Sequence, residues 1–233
     1  MFWIALANDG VTASAARLAQ TSTGWLQDAQ RSRAYPLFKR LLDIIGAALG
    51  LLLLLPLLLA VALLVRLESP GPVLFSQTRI GRRGRPFRCW KIRSMYVDAE
   101  ARKAALLAQN EMRGGTTFKM KRDPRITRVG RFIRKASIDE LPQLWNVLLG
   151  DMSLVGPRPP VPAEVAQYDA AHRQRLSVKP GITCIWQVTG RSDIPFGEQV
   201  QLDVRYIEEC SLWMDIRLLL ATVPAVVFAR GAY

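Results

Sequence analysis

The sequence predicts an α+β, membrane-associated protein, and three observations carry that reading. An uncharged, leucine-dominated run extends from Ile44 to Val65. Two segments of strand character, residues 73–80 and 86–95, flank the turn Gly81-Arg82-Arg83-Gly84 and read as a small β-hairpin. The rest consists of short helix-forming stretches, several of them amphipathic, punctuated by Gly and Pro loops. Half of the 233 residues are hydrophobic although 22% are charged, so the apolar residues must be gathered into runs. The 32 basic residues outnumber the 19 acidic ones, for a net charge of +13. A negatively charged partner follows: nucleic acid, anionic lipid or a phosphorylated small molecule. Cys89, Cys184 and Cys210 form no CxxC pair, which argues against a disulfide framework or zinc site and for a reducing compartment. His172 is the only histidine, which argues against a His-centred triad.

Residues 1–34 show no sustained periodicity and read as a variable tail. Phe2 to Ala7 is too short for a signal-peptide core, and no Lys or Arg precedes it. The run from Ile44 to Val65 would make a helix of about 33 Å, enough for a bilayer core. Pro56 lies at its middle, where it removes a backbone donor and crowds the carbonyl four residues earlier, so a kink is expected. Arg31, Arg33, Lys39 and Arg40 precede the run, and Arg66, Arg79, Arg82, Arg83, Arg85 and Arg88 follow it. The positive-inside tendency draws both ends to one side. Hydropathy alone admits a kinked crossing or a Pro-broken, re-entrant dip.

In the second strand Phe87, Cys89, Lys91 and Arg93 share one face. Lys91 and Arg93 therefore project together, either as solvated cations or toward an anion. Val97 to about Arg113 is helix by composition and stops at Gly114-Gly115. Arg122, Arg125, Arg128, Arg131 and Arg134 then recur every third residue. Anionic headgroups favour nearby Lys and Arg by about 1 kcal/mol each, and most of this run is expected to face them. Arg134, five residues before Asp139, is the candidate to turn inward.

Ser137-Ile138-Asp139-Glu140 fits a capping box ahead of Leu141, Leu144, Trp145 and Leu148. That explains Glu140 structurally, although Pro142 sits awkwardly in this register; a helix starting at Asp139 removes the conflict. Either register puts both carboxylates at the positive end of a helix dipole. This favours the ionised form and suits a carboxylate nucleophile or a Mg²⁺ ligand. Arg158 stands between Pro157 and Pro159 on a stiff backbone, which lowers the entropy lost in clamping a phosphate. Arg191, after Gly190, is a second clamp candidate. Cys184 to Val188 reads as a short strand, residues 197–209 as a helix, and Leu212 to Phe228 as an interfacial helix with Trp213 near the headgroups.

From about Lys39 to Tyr233 the chain resembles the bacterial sugar transferases, the monotopic polyprenyl-phosphate phosphoglycosyl transferases. The resemblance is carried by Lys39-Arg40-Leu41-Leu42-Asp43, Gly71 to Gly81, Lys91-Ile92-Arg93-Ser94-Met95, Ser137 to Asn146, Gly150 to Pro159, Pro180 to Thr183 and Trp186 to Arg191. It implies transfer of a sugar-1-phosphate from a UDP-sugar to undecaprenyl phosphate, releasing UMP. The setting would be the cytoplasmic face of the bacterial inner membrane, among its lipids, at the start of exopolysaccharide, O-antigen or capsule-type glycan assembly. Carried over by motif, Asp139 would be the nucleophile, with a depressed pKa, forming an aspartyl-phosphosugar. Glu140 would bind Mg²⁺ with Asp139 or handle protons. Lys91, Arg134, Arg158 and Arg191 match the family's basic positions, and Arg93 is grouped with them as a phosphate or nucleotide ligand.

The implied architecture is a re-entrant membrane helix over residues 35–68, broken at Pro56, and a cytoplasmic catalytic core over residues 69–233. Residues 30 and 80 would then lie on one side of the membrane. Asp203, Tyr206 and Arg230-Gly231-Ala232-Tyr233 resemble exopolysaccharide-type members, many of which handle glucose or galactose. Two positions depart from the pattern. Leu55 replaces the usual Ser before the membrane-helix proline, and Cys184 stands where Gly is usual. A nucleic-acid-binding module would share the charge, but the aromatics do not interleave with the basic residues, so no nucleic acid partner is expected. A silent membrane scaffold would not need Asp139, Glu140, Arg158 and Arg191 together. The sequence leaves the identity of the sugar and homo-oligomer formation open.

Overall fold

A computed structural model describes residues 34–106, 120, 123–190 and 193–227, without the side chains of 103–105. Expectations for the tail, the end of the 97–113 helix, Arg122, Arg191 and Arg230 to Tyr233 lie outside the described residues. The chain divides into two compact units, Met1–Phe38 and Lys39–Tyr233. Of the first, only residues 34–38 are described, the opening of helix α1. The second is an α+β assembly.

Helix α1, Ala34–Glu68, is 35 residues long, which at 1.5 Å per residue is about 52 Å. It is long and apolar enough to cross a membrane, and only 11% of its most apolar window is buried. Helical backbone continues through Pro56. The proline therefore does not end the helix, although it leaves the Leu52 carbonyl without its usual donor.

Within the second unit, Lys39, Arg40 and Asp43 bond the helix to the elements that follow it. Lys39 Nζ donates to Asp215 Oδ2 at 2.9 Å and to the Tyr206 hydroxyl at 3.1 Å. Arg40 donates to the carbonyls of Val147 and Leu148 at 2.6 and 2.8 Å. Asp43 Oδ1 accepts from Ser153 Oγ and from Leu154 N, both at 2.9 Å. Ala47 and Leu51 continue the contact into the main apolar cluster, with Leu144, Val147, Met152 and Leu154. Further along, Val61 and Val65 enter a second cluster with Ile92 and Ile133. Between the two contacts the helix is largely exposed, including Leu52, Leu53, Leu55, Pro56 and Leu57.

Strands β1, Leu74–Ile80, and β2, Pro86–Ile92, form the expected antiparallel hairpin, with Arg79 opposite Phe87, Gln77 opposite Cys89 and Phe75 opposite Lys91. Helix α2, Ala99–Leu106, follows. Helix α3, Arg128–Lys135, is capped by Thr127, whose side chain accepts from Gly130 N. Arg125 corrects the expectation of a headgroup-facing arginine: it is buried and paired with Asp123 at 2.7 Å, in the turn that precedes α3. A pair only two residues apart in sequence satisfies both charges locally.

After a 3₁₀ turn at Ile138–Glu140, helix α4, Gln143–Leu149, packs beneath the hairpin. Asn146, fully buried, fixes that contact by accepting from Trp90 N at 3.1 Å and donating to Arg88 O at 2.7 Å. Strand β3, Ser153–Val155, leads through the short helices α5, Pro162–Val165, and α6, Ala170–Arg173, to strand β4, Gly181–Thr183. β3 and β4 pair in parallel, Ser153 opposite Gly181. The two backbones approach so closely at Gly156 and Gly181 that a Cβ on Gly181 would lie 2.1 Å from Gly156 N.

The strand expected at Cys184 to Val188 is instead helix α7, Ile185–Thr189. Strand pairing ends at Thr183, and Ile185 and Val188, three apart, both turn onto the main core, which is helical spacing. Helix α8, Phe196–Glu209, buries Val200, Val204 and Tyr206. Helix α9, Leu212–Val227, leaves Trp213, Leu220 and Val223 about two-thirds exposed at 66%, 66% and 63%, as an interfacial helix would.

Candidate active site

The acidic turn does not form the capping box that its spacing suggests. Ser137 adopts φ +56°, in the left-handed region, whereas an N-cap needs extended backbone, and its side chain makes no cap bond. α4 begins only after Pro142, where the missing backbone donor costs nothing. Freed from capping, Glu140 reaches across to β2, and its Oε1 accepts from Lys91 Nζ at 2.6 Å. Lys91 stands on the hairpin face that the alternation assigns it, and Asn146 holds β2 against the helix that follows the acids.

Arg158 arrives from the opposite wall. Its loop is tied down on each side: Gly181 N donates to Pro157 O, Arg79 to Pro159 O, and Ile80 N to Pro160 O, each at 2.9 Å. Pro157, Pro159 and Pro160 are buried while Arg158 is half-buried. The resulting pocket is lined by Arg79, Cys89, Lys91, Glu140, Gln143, Arg158, Gly181 and Gln187.

Of the residues singled out from sequence, the structure brings Lys91, Glu140 and Arg158 together. Asp139 lies beside them but is buried, 8% exposed, and does not line the pocket wall. Arg134 sits close enough to Asp139 to favour its charge. Arg93 is not brought to the pocket. Its guanidinium donates to Ser69 O and Pro70 O at 2.5 and 2.6 Å, at the end of α1. β2 ends at Ile92, so the alternation that aligned Arg93 with Lys91 no longer holds. Arg191 lies outside the described residues. Cys184, fully buried, donates from Sγ to Gln187 Oε1 at 3.1 Å, so it touches the pocket through Gln187.

In the sequence Arg79 is one of several charges that flank the apolar run. The hairpin register could have found it, because pairing opposite Phe87 puts it on the face shared by Cys89 and Lys91. Its guanidinium is held by two neutral acceptors, Gln77 Oε1 and Pro159 O.

The charges differ sharply over a few ångströms. Burial pushes the Asp139 carboxyl up to about 6, against Lys91 and Arg134, and the Glu140 charge adds to the rise. This reverses the depressed value expected at a helix start, because the Asp139 carboxyl is buried and desolvated in the turn. Burial also opposes ionisation of Glu140, but Lys91 and Arg158 overcome it and hold that carboxyl well below the usual range. Burial and the neighbouring Arg158 lower the Arg79 guanidinium to about 10. Three cations therefore face one ionised, already paired carboxylate, an arrangement suited to a phosphorylated anion.

A family model for bacterial sugar transferases matches residues 34–229. The chain is 53% identical to the galactosyl transferase CpsE of Streptococcus agalactiae over 196 residues, 83% of this chain and 43% of that protein. It is 43% identical to the UDP-glucose:undecaprenyl-phosphate glucose-1-phosphate transferase of Caulobacter vibrioides, over 86% of this chain and 73% of that one. It is 41% identical to the exopolysaccharide production protein ExoY of Sinorhizobium fredii, over 84% of this chain and 88% of ExoY. The chain thus spans less than half of the streptococcal relative and most of ExoY.

Proposed function

The chain belongs to the bacterial sugar transferase family, and on that premise we propose that it transfers a sugar-1-phosphate from UDP-glucose or UDP-galactose to undecaprenyl phosphate, releasing UMP. The carrying observation is the convergence of Arg79, Lys91 and Arg158 on Glu140, with Asp139 alongside. Phosphoryl transfer needs chiefly positioning and neutralisation of phosphate charge, and this pocket offers both.

In this reading the Asp139 carboxylate attacks the sugar-proximal phosphorus of the nucleotide sugar. A P–O bond forms to Asp139 as the bond to the UMP phosphate breaks, and UMP leaves. An oxygen of undecaprenyl phosphate then attacks the same phosphorus and returns the carboxylate. Arg79 and Arg158 bind the diphosphate, Lys91 holds Glu140 ionised, and Arg134 favours the charged form of Asp139. A Mg²⁺ fits the donor set: it takes hard oxygen ligands and usually one or two carboxylates, the remainder coming from substrate phosphates. Asp139 and Glu140 would hold it, and it would supply further neutralisation of phosphate charge. Glu140 rather than Asp139 reaches the pocket wall, which favours a second reading with Glu140 as the nucleophile.

The same reading seats α1 in one leaflet as a re-entrant helix at the cytoplasmic face of the inner membrane. Its support is that both arms of α1, around Lys39 to Asp43 and around Val61 to Glu68, bond to one compact unit. The exposed Phe132, Trp145 and Trp213 and the basic residues of α3 suit a headgroup layer.

The test is the chain in nanodiscs with undecaprenyl phosphate, Mg²⁺ and a panel of UDP-sugars. UMP and a lipid-linked phosphosugar are expected with one of the two hexoses. No UMP across the panel would refute the reading.

A further inference from the structure

Helix α1 ends between the two elements that flank the acidic turn. On one side the Glu68 carboxylate accepts from the first backbone donors of α3, Arg128 N at 2.7 Å and Val129 N at 2.9 Å. On the other, buried Arg93, two residues after Lys91, donates to Ser69 O at 2.5 Å and Pro70 O at 2.6 Å. Between these polar contacts lies the cluster of Val61, Val65, Ile92 and Ile133, and Ile138, the residue before Asp139, packs against it.

Glu68 satisfies amides that an α-helix leaves without partners at its start, and Arg93 satisfies carbonyls just past the end of another. Both sets of bonds hold only while the exit of α1 keeps its place against α3 and β2. The exit is therefore tied to the strand that carries Lys91, and to α3 and Ile138, which lead directly into the turn that holds Asp139 and Glu140. The Arg158 loop is tied to Gly181 and the hairpin's first strand instead.

We propose that Glu68 and Arg93 are positioning residues through which the seating of α1 in the bilayer sets the alignment of Lys91 with the Asp139–Glu140 pair. What that alignment accomplishes rests on the phosphoglycosyl-transfer reading; the mechanical coupling does not. Misplacing reacting groups by about 1 Å can cost on the order of 100-fold in rate, so a small shift of the helix exit would be felt in turnover.

The experiment compares the full chain in nanodiscs with its Glu68→Ala, Glu68→Gln and Arg93→Met variants. Amide hydrogen exchange is expected to quicken at residues 136–141 in Glu68→Ala and Arg93→Met, with no change at the β3–β4 pair. Turnover should fall by about tenfold or more in these two variants while KM for the UDP-sugar stays within about twofold. Glu68→Gln, which keeps one acceptor oxygen, should fall between them and wild type. Unchanged exchange at 136–141 in folded Glu68→Ala and Arg93→Met would overturn the proposal, as would faster exchange that extends equally to β3–β4. If wild type releases no UMP, the reaction reading fails, and the exchange pattern alone still decides the coupling.

Discussion

Glu140 meets Lys91 at 2.6 Å, whereas burial dominates the environment of Asp139 beside it, so the two carboxyls are shifted in opposite directions. The acid pair, Lys91 and Arg158 stand out in the sequence through the family resemblance, since the residues alone leave a helix cap, a solvated cation and an exposed loop arginine open. The direction of the Asp139 shift does not, since burial depends on what packs over the turn. Arg93 misled for a similar reason: alternation holds only while the strand lasts, and its partners lie more than twenty residues away at the end of α1. Arg79 was hidden among basic residues until the hairpin register put it beside Lys91. Arg79→Gln is expected to weaken UDP binding by roughly 10- to 100-fold, from the loss of about 1.5–3 kcal/mol of charge-assisted hydrogen bonding. The fold should survive, because Gly181 N and Ile80 N still hold the Arg158 loop through Pro157 O and Pro160 O. Calorimetric titration with UDP checks this, and unchanged affinity would remove Arg79 from the site.

Among the elements, the hairpin, α8 and the apolar α1 follow directly from alternation, helical spacing and run length. The acidic turn and α7 do not, because tertiary contacts choose between local patterns of similar merit: Glu140 has a cap available and takes Lys91 instead. The β3–β4 pair sets the position of the Arg158 loop through the close approach of Gly156 and Gly181. Gly181→Ala would drive a Cβ into backbone, so a clear fall in melting temperature is expected, in line with about 1–3 kcal/mol for overpacking. An unchanged melting temperature would mean that the two strands can separate without penalty. The turn before α3 yields a pH prediction. Burial disfavours the Asp123 charge, but the hydrogen bonds from Arg125 outweigh it and hold the carboxyl below its ordinary value. The folded state then binds this proton more weakly than the unfolded state. The pair's stabilisation is full above the ordinary aspartate pKa of about 3.9 and is lost as pH falls through the lowered folded value. The melting-temperature gap between wild type and Asp123→Asn should be constant from about pH 7 to 5 and shrink below about 4. A gap that does not narrow in acid would show that Arg125 does not hold the charge.

For the whole molecule, charge and hydropathy pointed to a membrane and an anionic partner, but they left the path of α1 open. The re-entrant proposal draws on the contacts that α1 makes on both sides of Pro56 within the unit that carries the pocket. With the native cysteines replaced, Leu41→Cys and Arg85→Cys are expected on that proposal to label from the same side of oriented vesicles. Labelling from opposite sides would establish a crossing helix. The central claim, covalent transfer through the acidic turn, is tested most directly by intact-mass and peptide analysis after incubation with Mg²⁺ and a UDP-sugar but no lipid acceptor. The account predicts a phosphosugar adduct on Asp139 in wild type, with UMP released, and none in Asp139→Asn. A wild-type protein that forms no adduct, or an adduct that persists in Asp139→Asn, would contradict it.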